Sequence, residues 1–120
     1  MKAKPARVQE QDEPTNNDQA MARKHSKDKS TCQVTFSLPR EAAPEASSVA
    51  VAGSFNNWDL SSHPMTRLEN GDYAIVIELE AGKEHEFRFV IDDTQWENAW
   101  NADKYVWSEQ GNCENSVVIT

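Results

Sequence analysis

Short runs of period-two alternation between apolar and polar residues, separated by turn signals, constrain this chain more than any other feature. In residues 32–38, Val34, Phe36 and Leu38 share one face. Pro39 and Pro44 bracket a break. Residues 48–54 form a run of small residues with Val49 and Val51 pointing one way, and residues 64–68 restart a short strand. Asn70-Gly71 is a strong hairpin signal. Tyr73, Ile75, Ile77 and Leu79 then alternate cleanly up to the turn Glu80-Ala81-Gly82-Lys83. Residues 84–92 follow, with Phe87, Phe89 and Ile91 on the core face. Residues 93–114 read as irregular, polar and rich in Trp, and Val117-Val118-Ile119 closes the chain. Helical spacing is absent. The pattern predicts an all-β, antiparallel sandwich assembled from local hairpins.

Charge divides the chain in two. Residues 1–30 carry seven Lys/Arg against five Asp/Glu, whereas residues 31–120 carry five against fifteen. All ten aromatic residues lie between Phe36 and Trp107. The first thirty residues hold too little apolar surface to offset the entropy of ordering them, which predicts a disordered tail over 1–30 and one folded domain over 31–120. A Met-Ala-Arg-Lys stretch at Met21 is an alternative start. An acidic domain repels phosphate backbones, so nucleic acid is not an expected partner. No apolar run approaches the ~18 residues of a membrane span, and no apolar stretch follows the basic start Met1-Lys2-Ala3-Lys4. The expectation is a cytoplasmic monomer, with Cys32 and Cys113 as reduced thiols.

Catalytic patterns are weak. The carboxylates are numerous enough to pair by chance, and a small sandwich has little room for a glycosidase cleft. His25, His63 and His85 are scattered without zinc spacing, and Asp92-Asp93 lacks the further ligands of a calcium loop. There is no glycine-rich phosphate loop and no nucleophile motif. The reading is a non-enzyme with no cofactor or metal. The four tryptophans Trp58, Trp96, Trp100 and Trp107 all fall in polar segments read as loops, with Asn or Asp flanking Trp58 and Trp100. A loop Trp can fold back to plug the end of a sandwich, or it can offer a flat surface that suits a sugar ring. Strand alternation sets Arg88 opposite Phe87 and Phe89, either as a plain surface charge or as a grip on hydroxyl groups.

Val51-Ala52-Gly53-Ser54-Phe55-Asn56-Asn57-Trp58 resembles the start of the modules of carbohydrate-binding module family 48. Further elements follow in the family's order: Pro64-Met65, Gly71-Asp72-Tyr73, Glu86-Phe87-Arg88-Phe89-Val90-Ile91-Asp92, Trp96-Glu97-Asn98, Asn101-Ala102-Asp103-Lys104-Tyr105 and Glu114-Asn115-Ser116-Val117-Val118. The family includes isoamylase N-terminal domains and the glycogen-binding domain of the AMP-activated kinase β subunit. The chain looks most like its small bacterial stand-alone members. The resemblance implies an immunoglobulin-like, early-set sandwich that binds α-1,4-linked glucan. It assigns carbohydrate contacts to Trp58, Arg88 and Trp96, and to Glu114 and Asn115 at the last strand. Glu114 stands where kinase-type modules carry an Asn. Asp93 stands where many members carry the Gly of an Asp-Gly turn. The competing expectation is a protein-interaction domain that packs on a separate glucan-active enzyme or kinase and binds no sugar itself.

Overall fold

The computed structural model describes residues 21–120 except Gln110. It contains nine strands: β1 (Ala22–His25), β2 (Thr31–Leu38), β3 (Val49–Gly53), β4 (Thr66–Arg67), β5 (Tyr73–Glu80), β6 (Glu84–Ile91), β7 (Gln95–Glu97), β8 (Lys104–Ser108) and β9 (Cys113–Ile119). Two antiparallel sheets result. One has the order β1-β2-β5-β4, the other β3-β6-β9-β8, with β7 paired to β6. Among the described residues the only helical pieces are single 3-10 turns, at Arg40–Ala42 and Ser54–Asn56.

The alternation seen in the sequence becomes the core. Val34, Phe36, Leu38, Ile77 and Leu79 face Val49, Val51, Phe87, Phe89, Ile91 and Val118 across the sandwich. Phe36 meets Phe87 edge-on at 4.8 Å between ring centroids, and Phe87 meets Phe89 at 5.7 Å. Such edge-to-face pairs add about 0.5–1.5 kcal/mol beyond the area that they bury. Cys32 is buried in this core and unbridged, and Cys113 is also free.

Three expectations change. The sheets are antiparallel but not assembled from local hairpins alone. The Glu80–Lys83 turn carries the chain from one sheet to the other, so β5 pairs with β2 and β6 with β3. The segment read as irregular contains β7 and β8. The fold also begins before residue 31. Residues 1–20 of the expected tail lie outside the described residues, but β1 pairs in register with β2, Ala22 against Thr35 through His25 against Cys32.

The physical reason for this earlier start is polar. The Arg23 guanidinium donates to both carboxylate oxygens of Asp103, at 2.8 and 2.7 Å, and to the Ile119 carbonyl. Asp103 also accepts from the Ile119 amide at 2.6 Å. This bidentate clasp ties β1 of one sheet to the β8–β9 side of the other, and Met21 beside it is buried. The clasp holds the Asp103 carboxyl below its ordinary range, chiefly through the hydrogen bond from Arg23.

Candidate glucan-binding face

The site is built on the side of β6 that faces away from the core. Phe87 and Phe89 point inward, so Arg88 and Val90 point outward. Val90 pairs with Trp96 of β7, which sets the indole on the same outward side beside Arg88. The Arg88 guanidinium carbon stands 4.7 Å from the centre of the Trp96 ring, a cation–π contact that fixes the two side chains together. Trp58 comes in from the loop after β3, its ring 6.5 Å from that of Trp96 and tilted by 52°. Trp96 remains 38% exposed and Trp58 half-buried.

Local chemistry explains how both tryptophans arrive there. After β3 the chain makes a 3-10 turn over Ser54–Asn56, then two successive left-handed residues, Asn57 (φ 57°) and Trp58 (φ 59°). Asn56 holds this loop from inside. Its Oδ1 accepts from the Gly53 amide at 3.0 Å, and its Nδ2 donates to the Val51 carbonyl at 3.0 Å and to His63 Nδ1 at 2.8 Å. The Trp58 amide closes back on the Gly53 carbonyl at 2.9 Å. Beyond the tryptophan, Asp59 accepts from the Ser61 amide and from the Ser61 and Ser62 hydroxyls, and these bonds lower its pKa, the Ser61 amide most.

The β6–β7 hairpin is equally tight. Asp92 (φ 52°) and Asp93 (φ 64°) are both left-handed, and the Thr94 amide closes the three-residue turn on the Ile91 carbonyl. Asp93 therefore adopts the conformation expected of the Gly that it replaces. Asp92 pays back the strain by accepting from the Ser47 and Ser48 amides.

Among the expected contacts, Trp58, Arg88 and Trp96 come together in one cluster. Asn115 lies on the same outward side of the sheet. Phe87 pairs with Ser116, so Arg88 and Asn115 are the next neighbours across β6 and β9. Asn115 is buried and donates to Glu86 Oε1 at 3.0 Å. Its Oδ1 and the Arg88 Nε are both buried and without a hydrogen-bond partner among the described residues. Leaving such groups unpaired costs about 1–3 kcal/mol each; one is a donor, the other an acceptor.

Glu114 is the exception. Strand alternation turns it to the opposite side of the sheet from Asn115, where it pairs with Trp107. Trp100 and Trp107 likewise stand apart from the cluster. Asn56, Glu86 and Gly111 were not read from the sequence as parts of the site. A Cβ built on Gly111, in the β8–β9 turn, would lie 3.7 Å from Arg88 Nη2, so that turn reaches over the guanidinium. Among the described residues, no helix is long and apolar enough to cross a membrane, and no His, Cys, Asp and Glu cluster could hold a metal ion.

Residues 41–120 match the family described as the glycogen recognition site of AMP-activated protein kinase. The chain is also 48% identical over 46 residues to a 1,4-alpha-glucan branching enzyme, GlgB, of Photobacterium profundum, covering 38% of this chain and 6% of the enzyme. It is 44% identical over 43 residues to a 1,4-alpha-glucan-branching enzyme of Emericella nidulans, covering 36% of this chain and 6% of that protein. The matched part is thus a small fraction of these relatives' length.

Proposed function

Because the chain belongs to the family of the glycogen recognition site of AMP-activated protein kinase, we propose that it is a non-catalytic module that binds α-1,4-linked glucan through the outward face of β6. The observation that carries this reading is the clustering of Trp58, Trp96 and Arg88. Two indoles present apolar planes to the C–H faces of glucose rings. Beside Trp96 a guanidinium, already fixed against its ring, offers planar donors to the hydroxyl rim. Asn115 supplies a further acceptor once side chains shift enough to admit a hydroxyl. Glu114 takes no part in this contact.

Such a face is open, so binding is weak. Each stacked ring is worth about 1–3 kcal/mol by analogy with base stacking, which with a few wet hydrogen bonds corresponds to Kd values of about 10 μM to 1 mM. Co-sedimentation with glycogen or insoluble starch tests the reading. The protein should be depleted from the supernatant at high micromolar concentration, and the Trp58→Ala variant should be depleted measurably less. A wild-type protein that stays in solution with both polymers would overturn it.

A second reading is a module that packs on a separate glucan-active enzyme. It is favoured by the relatives, in which the matched segment is 6% of a branching enzyme. Unchanged glycogen retention in the presence of an added branching enzyme would speak against this reading, as would the absence of a complex on a sizing column.

A further inference from the structure

The other side of the β8–β9 hairpin carries aromatics that the glucan face does not use. Trp107 is 60% exposed, Trp100 50% and Tyr105 41%. Tyr105 and Trp107 are two residues apart on β8, hence on one side of the strand. Trp107 faces Glu114 across the ladder, a pairing that brings their Cβ atoms to about 4.5–5.5 Å. The Tyr105 hydroxyl donates to the Ala99 carbonyl at 2.6 Å, which pins its ring in place and sets Trp100 next along the chain. Alternation places this strip opposite Asn115 and Val106, away from the Trp58–Trp96–Arg88 cluster.

We infer that Trp107, with Tyr105 and Glu114, is a second α-glucan platform, so that one chain holds two glucan segments on opposite sides of the same hairpin. The inference rests on the glucan reading of the first face and extends it. The chemistry repeats that face: aromatic planes beside a hydrogen-bonding group. Here the group is a carboxylate, which accepts from sugar hydroxyls where Arg88 donates. The exposed aliphatics Leu68, Val76 and Ile119 lie elsewhere, at β4–β5 or on the far side of β9. The two platforms are continuous through the hairpin. Neighbours Glu114 and Asn115 face opposite ways, and the turn that joins the strands reaches Arg88. A short linear oligosaccharide cannot reach both sides, but two branches or two polymer chains can. The gain is avidity on a polymer rather than affinity for a short chain.

The test is maltoheptaose titration by calorimetry, with glycogen turbidity as a second readout. The wild type should take two maltoheptaose molecules per chain and cloud a glycogen solution by bridging. Trp107→Ala should take one, within about twofold of the affinity of the remaining site, and lose the turbidity. Trp58→Ala should likewise fall to one. Trp107→Tyr keeps a ring and should retain the second site more weakly. Trp107 is largely exposed, so each variant at this position should melt like the wild type. A wild-type stoichiometry of one, unchanged by Trp107→Ala, would overturn the second platform and leave the first intact. Failure to bind maltoheptaose at all would overturn both. A dimer in solution that protects Trp107 from quenching would assign the strip to a second copy of the chain and overturn the glucan assignment.

Discussion

At the scale of single residues, the structure separates side chains that hold the fold from side chains that can grip a ligand. Phe87 is fully buried between Phe36 and Phe89, so Phe87→Ala should cost about 3–5 kcal/mol of stability, read as a fall in the urea midpoint. Trp58 is half-buried on a loop, its ring tilted by 52° against that of Trp96. Trp58→Ala should cost about 1 kcal/mol at most, while glycogen retention falls well below that of the wild type. Arg88→Ala should match it, with weaker retention and an intact fold. If Trp58→Ala instead unfolds the domain, the indole is a plug. Much of this contrast was legible in the sequence. Period two assigns Phe87 and Arg88 to opposite faces without further information. The face of the last strand was harder to read. Glu114 and Asn115 are adjacent, and a one-residue difference in register exchanges them. Only the pairing of Ser116 with Phe87 decides that Asn115 stands beside Arg88.

At the scale of elements, the loop before Trp58 depends on a close approach. A Cβ on Gly53 would lie 2.5 Å from the Glu86 carbonyl oxygen and 2.7 Å from the Phe55 ring. Gly53→Ala must therefore push β3 from β6 or displace the Phe55 ring. Its expected cost is about 2 kcal/mol or more, with a loss of glucan binding that Phe87→Leu would not share. The Arg23–Asp103 clasp gives a pH signature. Asp103 has a lowered pKa in the folded state, so the stability that it contributes is complete above the ordinary carboxylate value near 3.9. That stability disappears as pH falls through the lowered value. The side chains are only 23% and 15% exposed, and a contribution on the order of 1 kcal/mol is expected. The urea midpoint of Asp103→Ala should fall below that of the wild type at pH 7, and the gap should close at strongly acidic pH. Neither β1 nor β8 was legible in the sequence. Ala22-Arg23-Lys24-His25 has no apolar alternation, and its anchor lies 80 residues away. On β8 the large side chains Tyr105 and Trp107 are exposed, so the strand lacks the inward-facing residues that mark a half-buried one.

Across the whole molecule, the Arg23–Asp103 clasp joins the two sheets at the edge of the core. A chain that begins at Met21 keeps β1 and the clasp, and a chain that begins at residue 31 loses both. The shorter one should melt several degrees lower by differential scanning fluorimetry, since about 1 kcal/mol shifts the melting point of a domain this size by roughly 4–8 °C. The topology was the least legible level. Alternation identifies faces, but nothing local says that the turn after β5 changes sheets rather than folding back into a hairpin. The clasp has a further geometric consequence. Arg23 reaches the Ile119 carbonyl, and His25 Nε2 lies at hydrogen-bond distance from the Thr120 carbonyl. Chain entering at Met21 and chain leaving after Thr120 thus meet at one corner of the domain. The order of the strands along the gene is then separable from their order in space. Joining Thr120 to Met21 through a linker of about five to eight residues, and opening the chain at the exposed Gly82 turn, should give a circular permutant with the same glucan face.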